Sequence, residues 1–89
     1  MSRKGDFYMN EIPLCALAVG EIGRVCTLTA EGSMRRRLQD LGVTAGACVT
    51  CLGCAPSGDP AAYRIGGAVI AIRRTDAADV RVAVEGREP

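Results

Sequence analysis

Two consecutive glycines, Gly66-Gly67, separate Tyr63-Arg64-Ile65 from Val69-Ile70-Ala71-Ile72-Arg73. A two-residue loop of this kind takes positive φ at both positions and joins two antiparallel strands in a fixed register. Together with the Val/Ile-rich runs, the glycines favour small β architecture over a helical bundle. On these strands Tyr63, Ile65, Ile70 and Ile72 alternate and are expected to point inward. The same period of two recurs in Val80-Arg81-Val82-Ala83-Val84, which predicts a last, half-buried strand. Further strands are expected over residues 23–29 and 47–55, and Pro56-Ser57-Gly58-Asp59-Pro60 is a concentrated turn signal.

Eleven glycines among 89 residues imply many turns. Apolar residues make up 48% of the chain and aromatics only 3%, so the core must be aliphatic. This length supports one domain. The expected architecture is mainly β: about five short strands with one or two short helices. A partly open, SH3-like β-barrel covers most strand edges at this size. The domain is expected over residues 12–84, with a flexible tail at 1–11 and a frayed end at 85–89. Residues 13–19 read as a first turn or helix with Leu14 and Leu17 on one face, and residues 76–79 as a single helical turn.

Met34-Arg35-Arg36-Arg37-Leu38-Gln39-Asp40-Leu41 predicts one short basic helix. Met34, Leu38 and Leu41 fall at i, i+4 and i+7 and form an apolar face. Ser33 is the expected N-cap, and Gly42 the left-handed residue that ends the helix. The arginine triplet sits in the first turns, where the helix dipole disfavours cations by roughly 0.3–1 kcal/mol each. Helix stability alone does not select those residues. Arg36 and Asp40 are spaced for an i,i+4 ion pair.

Cys48-x2-Cys51-x2-Cys54 invites a metal or thiol-sensing reading, with those three residues as ligands. No histidine is present to complete a zinc site, and the fourth cysteine of a ferredoxin-like cluster motif is missing. Residues three apart on a strand stand about 10 Å apart and face opposite sides. Packing is therefore the favoured role, with Cys51 and Cys54 as small core hydrophobes and Cys48 as the outward, candidate reactive thiol. No nucleophile–base pair, phosphate loop or acid pair is apparent, so neither an enzyme nor a bound cofactor is expected. A formal net charge of +1 and few aromatics argue against nucleic-acid binding. The apolar run at residues 12–19 is too short to span a bilayer and is separated from Arg3 and Lys4 by polar residues. The chain reads as cytoplasmic, with exposed edges permitting weak self-association.

The motifs also occur in a specific order. Leu14, Leu17 and Gly20-Glu21-x-Gly23-Arg24-Val25 are followed by Arg35-Arg36-Arg37-Leu38-x-Asp40-Leu41-Gly42-Val43-Thr44-x-Gly46. Then come Val49, Ala55-Pro56-x-Gly58-Asp59-Pro60, Gly67, Ile70, Ile72-Arg73-Arg74, Ala77 and Val80-x-Val82. This set resembles the FeoA family, small cytosolic proteins associated with bacterial ferrous iron uptake. The resemblance implies an SH3-like barrel and a role beside the membrane transporter FeoB, whose cytosolic part is a GTPase. It implies an adaptor that modulates the transporter's assembly or activity and reaches the membrane only through it. Arg35, Arg36, Arg37 and Leu38 on the helix, and Pro56, Ser57, Gly58 and Asp59 in the turn, are the expected contact residues. A similar domain ends some metal-dependent repressors, which offers another reading beside the thiol one.

Overall fold

The computed structural model describes residues 11–84. In chain order they form β1 (Glu11–Pro13), a 3-10 turn (Leu14–Ala16), β2 (Ile22–Leu28), α1 (Gly32–Asp40) and β3 (Cys48–Cys54). These are followed by β4 (Ala61–Ile65), β5 (Ala68–Ile72), a one-turn helix α2 (Arg74–Ala77) and β6 (Val80–Val84). The strands make one antiparallel sheet in the order β1-β6-β2-β3-β4-β5. The sheet wraps a single aliphatic core as a partly open, SH3-like barrel.

Six strands are present rather than the five expected. The added one is β1, where Glu11, Ile12 and Pro13 pair with Ala83, Val82 and Arg81. A three-residue strand ending in proline carries no readable period, so only its partner reveals it. Glu11 therefore belongs to the sheet and not to a tail; the expectations for residues 1–10 and 85–89 lie outside the described residues.

The hairpin forms as its glycines dictate. Gly66 and Gly67 have φ of 59° and 88°, and Ile65 pairs directly with Ala68. Tyr63, Ile65 and Ile72 are buried, whereas Ile70 on the edge strand is only half-buried. Two bulges adjust the sheet. On β2 the register shifts between Val25 and Thr27, so Val25 and Leu28 both face the core. On β3 it shifts between Cys51 and Gly53, which returns Cys54 to the face of Cys51.

At the end of α1, Gly42 adopts φ of 101°. Its N–H donates to the Gln39 carbonyl at 3.0 Å, and that of Val43 to the Leu38 carbonyl at 3.0 Å. This double closure is a Schellman motif, and its hydrophobic contact joins two buried residues, Leu38 and Val43. Val43 thereby occupies the inward position expected of Leu41, which is 38% exposed. Ser33 does not cap the helix: the N-cap is Glu31, without a side-chain bond, because the helix starts at Gly32.

Gly42→Ala should lower stability by about 1–2 kcal/mol, the cost of a left-handed non-glycine residue. The added Cβ would also stand 3.4 Å from the Ile65 side chain. Gly42→Asn should cost less, and urea unfolding of both variants measures the difference.

Candidate docking surface

The arginine triplet divides between two tasks. Arg35 donates from its guanidinium to the Leu28 carbonyl at 2.9 Å and ties α1 to the end of β2. Arg36 and Arg37 remain exposed, and among the described residues the expected Arg36–Asp40 ion pair does not form. Leu38, beside them, is buried in the core. Arg37, Met34 and Leu41 rim a hollow of about 190 Å³ whose opposite wall is Pro60, Ile72 and Arg73. The basic helix and the far end of the 56–60 turn thus meet at one place, although 20 residues separate Asp40, where the helix ends, from Pro60.

The turn itself is tightly bonded. Gly58 donates its N–H to the Ala55 carbonyl at 2.7 Å, and Ala55 its own to the Pro60 carbonyl at 2.9 Å. The Ser57 hydroxyl donates to the Asp59 carbonyl at 3.0 Å. The Asp59 carboxylate accepts the Arg74 backbone N–H at 2.9 Å, which anchors the turn to the start of α2. All of Pro56, Ser57, Gly58 and Asp59 are exposed, and among the four only the Asp59 side chain is tied to another element, α2.

A second hollow, about 220 Å³, opens on the other side of the same turn. Cys15, Cys51 and Cys54 line it, together with Tyr63, Gly58 and Arg74. Cys51 belongs to the core, but Cys54, the last residue of β3, is exposed rather than packed as expected. Cys48 is exposed on the outer face and opposite Arg24, away from that hollow. The spaced trio therefore does not converge, and among the described residues no group of three or more His, Cys, Asp or Glu side chains is placed to hold a metal. Cys48 is exposed, as expected of an outward thiol, and Cys15, distant in sequence, joins Cys51 and Cys54 at the hollow. Nothing in local spacing could reveal that grouping. Elsewhere, burial and the neighbouring Glu11 push the Cys26 thiol pKa up.

Tyr63 forms the floor of the thiol-lined hollow. It is buried, and its hydroxyl donates to the Leu14 carbonyl at 3.4 Å. Burial, with the surrounding Cys51 and Cys15 thiols, pushes its pKa up to about 12.

Comparison with known proteins places this arrangement. A model of the FeoA domain matches residues 12–84. A fusion of Fe(2+) transport protein A with the Fe(2+) transporter FeoB, from Porphyromonas gingivalis, is 33% identical over 69 residues. That match takes in 78% of this chain and spans only 8% of the relative's length. The solution structure of the Chlorobium tepidum FeoA protein superposes with a TM-score of 0.81 at 33% identity, covering 88% of this chain and 74% of that one. Stenotrophomonas maltophilia FeoA, solved with zinc and described as an SH3 domain protein, gives a TM-score of 0.67 at 26% identity, with 81% and 87% covered.

A raised tyrosine pKa favours the neutral, folded form. Its stabilisation is complete below about pH 10, the unfolded value, and is lost as pH climbs through about 12. In Tyr8→Phe protein, tyrosinate absorbance should therefore appear near pH 12, with stability declining from about pH 10. Tyr63→Phe should abolish that decline and cost about 1 kcal/mol at neutral pH for the lost hydrogen bond.

Proposed function

On the premise that this chain belongs to the FeoA family, we propose that it is an accessory protein of ferrous iron transport. It docks on the cytosolic, GTPase-containing part of an FeoB-type transporter and modulates that transporter's assembly or activity. The observation that carries this reading is the Porphyromonas gingivalis relative, in which the matching segment and FeoB are one polypeptide. Covalent linkage holds two modules at millimolar effective concentration, which favours a contact that is weak between separate chains.

The surface suits such a contact. The hollow between α1 and β5 combines an apolar floor at Leu38 and Ile72 with two exposed guanidinium groups, Arg37 and Arg73. Apolar anchors supply affinity, while rim charges set orientation and association rate. A module that modulates a GTPase by preferring one of its conformations should bind the GDP-bound and GTP-analogue-bound partner with different affinity.

Calorimetric titration of this protein into the transporter's cytosolic part tests the assignment in both nucleotide states. Arg37→Glu combined with Arg73→Glu should weaken binding by about tenfold or more, near 1.4 kcal/mol, with an unchanged melting temperature. Unchanged affinity in the folded double variant would remove the hollow from the contact. Leu41→Asp should weaken binding similarly, since Leu41 is exposed on the rim.

A further inference from the structure

We propose that the two hollows form a single docking track for an extended, acidic segment of a protein partner. The segment crosses the Gly58–Pro60 ridge and sets one apolar side chain in each hollow. This rests on the reading of the chain as a docking module and specifies what its partner must present.

Both hollows share one boundary. Gly58 lines the thiol-walled hollow and Pro60 the one beside α1, so the turn between them is a common ridge. Arg74 lines the first and Arg73 the second, consecutive residues at the start of α2. The ridge is fixed by its internal hydrogen bonds and by the Asp59 carboxylate on α2, so it would not collapse to merge them. Two separate hollows across a ridge suit alternate side chains of an extended strand, whereas a helix needs a continuous groove.

Size and charge set the chemistry. Volumes of about 220 and 190 Å³ fall below the ~300–1,000 Å³ of drug-sized sites and suit single side chains. The floors are apolar: buried Cys51 and Tyr63 in one, buried Leu38 and Ile72 in the other. Around them Arg36, Arg37, Arg73 and Arg74 are all exposed, and none forms an ion pair among the described residues. Three acids stand nearby: Asp59, whose carboxylate accepts the Arg74 backbone N–H; Asp76, which lines the α1 hollow; and exposed Asp40 beside Arg36 and Arg37. Four guanidinium groups against three carboxylates leave an excess of one positive charge around the track, and the two hollows each carry an exposed arginine, Arg74 in one and Arg73 in the other, to receive a carboxylate.

Cys54 supplies a native reporter, because its exposed thiol lines one hollow. The full chain, isotope-labelled, is titrated with a short acetylated peptide in which Leu and Phe alternate with Asp and Glu. Amide shifts should appear both at Gly53–Cys54 and at Leu41 and Arg73, and Cys54 should become protected from maleimide. Ala18→Trp, an exposed loop change that fills the thiol-walled hollow, should abolish the first set of shifts. Shifts confined to one hollow, no response, or an equal response to the lysine counterpart would overturn the track. So would equal shifts with a single-stranded oligonucleotide, which would show that the surface reads charge alone. If the transporter's cytosolic part binds but leaves Cys54 freely alkylated, the docking function stands and the track falls. If the peptide occupies both hollows while the transporter does not bind, the track stands and the assigned partner falls.

Discussion

The final strand of the chain lies between the first two, and that insertion holds the rest of the sheet in place. Val80, Val82 and Val84 of β6 all face the core, while Arg81 reaches from the other face to Glu11. Its guanidinium meets the Glu11 carboxylate at 3.4 Å and the Glu11 carbonyl at 3.3 Å, across a sequence separation of 70. On the other side β2 approaches so closely that a Cβ at Gly23 would lie 3.2 Å from the Val82 side chain. A larger residue there would require the fully buried Val82 side chain to give by a few tenths of an ångström. The sheet therefore depends on its most non-local pairings, and loop-closure entropy must be overcome before β6 contributes.

From that sheet, the candidate docking face follows by a short series of contacts. Arg35 reaches the Leu28 carbonyl and orients α1, and the Leu38–Val43 closure fixes where the helix ends. Those two restraints leave Arg36, Arg37 and Leu41 on the outside. Asp59 then holds the 56–60 turn against α2, so the turn stands as a wall between two hollows. Residues expected at a partner contact thus divide into those that build the surface, Arg35, Leu38 and Asp59, and those that face outward from it.

Much of this was legible because the relevant signals are local. Gly66-Gly67 needs no tertiary partner to adopt positive φ, and Gly42 ends its helix by the same freedom. Strand positions emerged within a residue or two, since alternation reports burial directly. Local reasoning failed where an element's identity depends on what lies across from it. β1 exists only because β6 receives it. The pairing of Ser33 with a helix start failed because the helix begins two residues earlier than a Ser33 cap requires, at Gly32 with Glu31 as N-cap. Bulges are silent in the sequence, and the one on β3 decided the environment of Cys54.

By itself, then, the sequence determined the hairpin, the basic helix with its glycine stop, the aliphatic core and the family. These follow from backbone sterics and the periodicity of apolar side chains, which act over a few residues. Tertiary structure alone decided which thiols share a hollow and which arginine is consumed by a carbonyl. It also decided that a helix near residue 37 and a turn near residue 60 face one another. Those outcomes depend on pairings between distant strands, where a single bulge or the added pairing of three residues changes which side chains meet.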